Sequence, residues 1–129
     1  TYEAHLVSVA APYLRRIAEL VQETTHLCVL RQDEVLTLST ASPAHGFRAV
    51  WEGLTSPAPS TSAGRVLVCE WDESAIRSKW TQEELAQAGG ARIFKSTDEF
   101  VEELQKIKKQ GLQSTLLRES WIGEHLSYM

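Results

Sequence analysis

An α/β (α+β) fold, with an antiparallel sheet flanked by helices, is what this sequence predicts. Three observations predict it. Leu14, Ile17, Ala18 and Val21 recur at the spacing of an amphipathic helix. Two short β-rich runs follow at once, separated by a few polar residues. A long helical segment near residue 100 carries its own start and stop signals.

The first helix is expected to begin near Ala11. Pro12 suits a first helical position, where its missing N–H costs nothing. Arg15, Arg16, Glu19 and Gln22 then take the wet side. Leu6, Val7 and Val9 leave an earlier start open. Residues 25–30 and 35–39 read as two strands, and Arg31, Gln32, Asp33 and Glu34 form a connection short enough for a hairpin. Residues 46–51 read as a third strand. Residues 53–62 hold Pro57 and Pro59 among small polar residues, a spacing that neither a helix nor a central strand tolerates, so a loop is expected. That loop runs into an apolar helix over 63–71, capped by Thr61 or Ser62. Two short polar helices are expected over 73–79 and 82–88, ended by Gly89 and Gly90.

Residues 96–111 give the clearest local signal. Ser96 and Glu99 fit the S-x-x-E capping box. Phe100, Val101, Leu104 and Ile107 form the apolar stripe. Acids lie early and Lys106, Lys108 and Lys109 late, as the helix dipole favours. Gly111 stands where a left-handed C-terminal residue is wanted. Residues 112–118 and 124–129 then read as paired strands around a turn at 121–123. The sequence ends within the second of these, and the last strands of the sheet are expected to be missing.

Bulk properties exclude several functions. A length of 129 residues predicts a single domain over 1–129. A formal net charge of −4 argues against this piece gripping nucleic acid by itself. No apolar run reaches membrane-spanning length, and the first residues lack the pattern of a signal peptide. Cys28 and Cys69 are far apart in apolar surroundings and read as reduced, buried thiols of a cytoplasmic protein. No P-loop, G-x-G-x-x-G or G-x-S-x-G is present, so no cofactor and no hydrolase is expected. His26 and Cys28 have no companions at zinc-ligand spacing, and His5, His45 and His125 are isolated, so no metal is expected. The tryptophans 51, 71, 80 and 121 are not spaced as a stacking platform and read as core or interface.

One spot has a physical reading of its own. A proline-rich loop entering a helix at Ser62, Ala63 and Gly64 gathers backbone N–H groups at the positive helix end, which receives an anion. Thr61 or Ser62 would add a hydroxyl, and Gly64 would allow close approach of backbone. An ordinary N-cap, in which the hydroxyl serves only the helix, is the competing reading.

Taken together, the blocks resemble the isocitrate-lyase-regulator (IclR) family. Residues 23–27 read Glu-Thr-Thr-His-Leu after a helix, and the hairpin over 27–39 follows the family's alternation. The most specific block is residues 53–65, Gly-Leu-Thr-Ser-Pro-Ala-Pro-Ser-Thr-Ser-Ala-Gly-Arg, similar to the family's G-x-x-x-P-x-h-x-[ST]-[AG]-x-G-[KR]. Glu103, Leu104, Ile107, Lys108 and Gly111 match a further block, and Glu119 with Gly123 an E-x-x-x-G. The resemblance implies a GAF-like effector-binding domain that follows a winged helix-turn-helix domain absent from this chain. It implies a non-enzymatic cytoplasmic regulator, a homodimer or homotetramer, that binds a small carboxylate or aromatic effector. DNA would be a partner through the absent domain, and no membrane is involved.

The resemblance also implies ligand-binding residues: Thr61, Ser62, Ala63 and Gly64, with Arg48, Val50 and Trp51 lining the pocket. Arg48 would clamp a carboxylate in bidentate fashion, or serve as an ordinary solvated strand arginine. Family members that bind small polar acids carry an acid before the E-x-x-x-G block and a small residue after it. This chain has Leu116 and Leu126 there, with one extra residue between Gly111 and Gly123. Those leucines favour a larger, more apolar effector, or serve as plain core. Two alternatives to effector sensing are a ligand-free oligomerisation module and a GAF-type redox enzyme. The second would need reactive thiols, which Cys28 and Cys69 do not suggest.

Overall fold

The computed structural model describes residues 1–44 and 52–110. The expected strands at 46–51, 112–118 and 124–129 lie outside the described residues, as do Arg48, Val50, Trp51, Leu116 and Leu126. The chain divides into two compact units, Thr1–Arg31 with Val35–Thr55, and Gln32–Glu34 with the residues from Ser56 onward.

The first unit opens with helix α1, Tyr2–Val21. It begins at Thr1, whose hydroxyl accepts a hydrogen bond from Ala4 N–H at 3.1 Å. It ends at Gln22, which turns left-handed at φ 57°. Pro12 therefore lies inside the helix and not at its first turn. Pro12 and Ser8 are both exposed, and the missing proline N–H leaves the Ser8 carbonyl without its i+4 helical partner. Only Leu14 and Ala18 of the expected stripe are buried. Ile17 and Val21 stay 45% and 56% exposed, because β1 covers a narrower face of α1 than the sequence periodicity marks.

Strands β1, Thr25–Arg31, and β2, Glu34–Ala41, form the expected hairpin. Gln32 makes its turn at φ 62°, in the left-handed region. Val35, Leu36 and Thr37 are the buried part of β2. The third strand, β3, is Thr55–Pro57, and the antiparallel sheet runs β1-β2-β3. This corrects the reading of 53–62 as loop throughout. Thr37 donates to the Leu54 carbonyl and accepts from Gly53 N–H, at 3.1 and 2.9 Å, leading the chain into β3. A three-residue strand at the end of the sheet order tolerates Pro57 as its last residue.

The second unit holds a 3₁₀ turn at Ala58–Ser60 and helices α2, Ser62–Val68, α3, Glu73–Lys79, and α4, Gln82–Gln87. A second 3₁₀ turn, Gly90–Arg92, leads to α5, Thr97–Gln110. The predicted stripe Phe100, Val101, Leu104 and Ile107 is buried as expected. Phe100 sits among aromatic rings, edge-on to Trp80 at 5.5 Å and tilted against Phe94 at 5.1 Å. Trp80 in turn stacks on Trp71 at 5.4 Å. The Ser96 hydroxyl accepts from Glu99 N–H as the capping box requires, while Glu99 reaches back to Lys95 N–H, one residue further than the motif.

Candidate functional site

The signature segment builds a rigid corner within the second unit. Pro57 is extended, at φ −60° and ψ 140°, and the chain turns through Ala58–Ser60 with Ala58 and Pro59 buried. The Ser60 hydroxyl donates to the Pro57 carbonyl at 2.9 Å, and Thr61 N–H donates to the Ala58 carbonyl at 3.4 Å. Thr61 then extends, and α2 starts. Ala58 N–H donates to the Asp33 carbonyl at 3.1 Å, tying the corner to the Gln32–Glu34 segment. Lys79 pairs with the Asp33 carboxylate at 2.9 Å and holds its pKa below the usual carboxylate value.

Thr61 is the N-cap of α2. Its hydroxyl accepts from Gly64 N–H at 2.9 Å, and its carbonyl accepts from Arg65 N–H at 3.1 Å. The hydroxyl can still donate its own proton, so the cap and a polar ligand can share it. The N-cap reading and the ligand reading are thus compatible at Thr61. Ser62 is buried and Ala63 half-buried beside it.

Gly64 has a structural duty that the sequence reading did not assign. A Cβ placed there would lie 2.5 Å from Ala58 Cα and 2.8 Å from its carbonyl carbon. The backbone that approaches Gly64 closely is the protein's own 3₁₀ turn. Arg65, fully buried, fastens the same corner. Its Nη1 donates to the Pro59 carbonyl at 3.0 Å, and its guanidinium lies 5.9 Å from the Phe94 ring centre. Sequence reasoning quoted Arg65 in the signature but did not place it in the site. Arginine is mostly exposed, and no local pattern marks a buried one.

The structure brings Thr61, Ser62, Ala63 and Gly64 together at the start of α2. In the first unit, a polar row lines the β-hairpin. His26 Nδ1 is 2.9 Å from the Thr40 hydroxyl, and Cys28 Sγ is 3.6 Å from that of Thr37. Burial lowers the His26 pKa, against the pull of Glu52. Burial raises both thiols, Cys28 against the Thr37 hydrogen bond, and Cys69 with help from Glu70. Neither is an activated nucleophile. Among the described residues, no group of His, Cys, Asp and Glu is placed to hold a metal ion, and no helix is long and apolar enough to cross a membrane.

Comparison with known proteins places the chain in a family. The model of the bacterial transcriptional regulator IclR C-terminal family matches residues 1–123. HTH-type transcriptional regulator TtgV of Pseudomonas putida (strain DOT-T1E) is 25% identical over 115 residues, which cover 88% of this chain and 43% of TtgV. The Pca regulon regulatory protein of Pseudomonas putida is 26% identical over 104 residues, 79% of this chain and 35% of the relative. HTH-type transcriptional regulator KdgR of Dickeya chrysanthemi is 25% identical over 107 residues, with 82% and 35% covered. The crystal structure of an IclR transcriptional regulator from Alicyclobacillus acidocaldarius superposes with a TM-score of 0.62 at 26% identity, over 79% of this chain and 41% of that one. The chain spans less than half the length of each of these relatives. Matched by the family model over nearly its whole length, the chain belongs to the IclR C-terminal family of bacterial transcriptional regulators.

Proposed function

We propose that this chain is the effector-sensing and self-associating domain of a bacterial transcription regulator, coupling a small ligand to the control of transcription. The family match over residues 1–123 carries the reading. In this proposal the chain is a cytoplasmic, non-enzymatic part of a longer protein, and a separate winged helix-turn-helix domain contacts DNA. Its relatives are named as transcriptional regulators. The raised thiols speak against redox catalysis.

The effector is a carboxylate or an aromatic compound whose polar head meets the Thr61–Gly64 corner. The Thr61 hydroxyl proton and the Ser62 and Ala63 backbone N–H groups serve the head. Gly64 and Arg65 hold the corner still, so little ordering remains for the ligand to impose. Arg48, Val50, Trp51, Leu116 and Leu126 are the further ligand-binding residues of this proposal.

A thermal-shift screen with pyruvate, benzoate and phenol tests it, as small keto acid, aromatic carboxylate and neutral aromatic. A ligand at a hundred times its Kd stabilises by roughly 2.7 kcal/mol. For a chain of this size that is a rise of about 8 °C or more. A rise with benzoate that shrinks in Thr61→Ala supports both sensing and the corner. A rise that Thr61→Ala leaves unchanged keeps sensing and removes the corner. No rise with a wide panel moves the ligand-free oligomerisation module ahead, a reading that the exposed apolar residues of α1 favour.

A further inference from the structure

Ala58 is the residue on which the corner turns, and it is held from three sides. Its N–H donates to the Asp33 carbonyl at 3.1 Å, and its own carbonyl accepts from Thr61 N–H at 3.4 Å. Gly64 packs so close that a Cβ there would lie 2.5 Å from the Ala58 Cα. Ala58 is fully buried, so water cannot readily replace Asp33 as the partner of its N–H. Where Asp33 stands therefore decides where the corner stands. Asp33 lies in the Gln32–Glu34 segment, within the same compact unit as the corner. Its side chain is fixed as well, with Oδ2 2.9 Å from Lys79 Nζ.

Lys79 is the last residue of α3, and the residue after it is rooted in the core. Trp80 is buried, stacks on Trp71 and stands edge-on to Phe100. Its N–H donates to the Ile76 carbonyl at 2.9 Å, and its carbonyl accepts from the Thr97 hydroxyl at 2.8 Å. The backbone of Lys79 is thus anchored to the aromatic core, and its side chain reaches from there to Asp33. One unbroken series of contacts runs from Trp80 through Lys79 and Asp33 to Ala58, and on to Thr61 and Gly64.

We propose that Lys79 is a positioning residue: its ion pair with Asp33 holds the Ala58–Ser60 turn against the start of α2 and keeps the Thr61–Gly64 corner in one shape. The Lys79 and Asp33 side chains are 42% and 35% exposed, so the pair is partly screened by solvent. It shifts the local opening of the corner by about twofold to fivefold and does not decide whether the chain folds. An effect of that size suits a tuning element, which alters the grip on a ligand and leaves the fold standing. The consequence for the effector, a tighter hold on its polar head, rests on the function proposed above; the positioning of the corner does not.

Amide hydrogen exchange of the 129-residue chain without ligand, followed by NMR, tests it. Lys79→Met removes the charge and keeps the length of the side chain. Exchange at the Ala58, Gly64 and Arg65 N–H groups is expected to speed up by about twofold to fivefold, with the Leu104 and Ile107 amides of α5 unchanged. Lys79→Arg is expected to exchange as the parent does, and the gap between parent and Lys79→Met is expected to close in 1 M sodium chloride. Glu84 also acts on Lys79, so a double-mutant cycle isolates Asp33. Asp33→Ala should match Lys79→Met, and the two together should exceed neither alone. Unchanged exchange in Lys79→Met overturns the proposal. So does a rise at Ala58 that stops short of Gly64, an equal rise across α5, or effects that add in the double variant. Where benzoate binds the parent, its Kd should rise by the same factor in Lys79→Met, and an unchanged Kd in a chain whose corner exchanges faster also overturns it. A parent that binds neither benzoate nor pyruvate counts against effector sensing alone, because exchange reads the corner without ligand.

Discussion

Gly64→Ala separates two physical effects of opposite sign. By helix propensity alone, alanine inside α2 should stabilise by about 1 kcal/mol over glycine. The packing says otherwise. The new methyl group would sit 2.5 Å from Ala58 Cα and 2.8 Å from its carbonyl carbon, with the carbonyl oxygen also in its way. Those are backbone atoms, held by hydrogen bonds from Ala58 N–H to Asp33 and from Thr61 N–H to Ala58. They cannot rotate aside as a side-chain tip would, so α2 and the 3₁₀ turn must separate by roughly 1 Å, and overpacking of that kind costs about 1–3 kcal/mol or more. Separation also strains the Arg65 hydrogen bond to the Pro59 carbonyl. The net expectation is a loss of about 2 kcal/mol or more, a fall in Tm of roughly 6–12 °C for a chain this long. Gly53→Ala is the comparison. It meets no atom within 4 Å but sits at φ +84°, so its cost is the backbone strain of about 1 kcal/mol. Thermal unfolding followed by circular dichroism at 222 nm decides the matter. A Gly64→Ala chain as stable as the parent, or more so, refutes the tight approach of α2 to Ala58.

Three further outcomes follow from the same packing. Phe100→Ala removes a fully buried ring between Trp80 and Phe94 and should cost about 3–5 kcal/mol by urea unfolding; a loss under about 1 kcal/mol contradicts that core. Pro12→Ala gives the Ser8 carbonyl its helical partner and should stabilise by about 1–2 kcal/mol, net of proline's stiffening of the unfolded chain; a destabilised variant would place Pro12 outside a continuous helix. His26, whose folded pKa lies below the ordinary 6.5, binds its proton less readily in the folded state than in the unfolded chain. Its contribution is therefore intact above pH 6.5 and is lost as pH falls from there toward the folded pKa. The parent should lose more Tm between pH 7.5 and 5.5 than His26→Gln does, and equal losses would remove His26 as the cause.

The local parts of this fold were legible in the residues. Helix α5 announced itself because its determinants are neighbours in sequence: Ser96 over Glu99 N–H, the stripe from Phe100 to Ile107, acids early and lysines late. The β1–β2 hairpin and the Thr61 cap were legible for the same reason, since each depends on residues within a few positions. The family was legible from the order and spacing of the signature blocks. Where periodicity alone spoke, it misplaced things. It marked Ile17 and Val21 for the core, and Pro12 for a helix start that lies ten residues earlier. The prolines of 53–62 likewise marked a loop throughout, though Thr55–Pro57 form the last strand in the sheet order. Which apolar face is covered depends on the distant segment that packs there, and no spacing within α1 encodes the width of β1. Gly64 and Arg65 make the same point at the candidate site. The sequence shows a glycine and an arginine beside a cap; only the folded chain brings the Ala58 backbone against one and the Pro59 carbonyl and Phe94 ring against the other. Local chemistry is set by near neighbours and is written along the chain, whereas burial is set by contacts between segments and exists only once they have met.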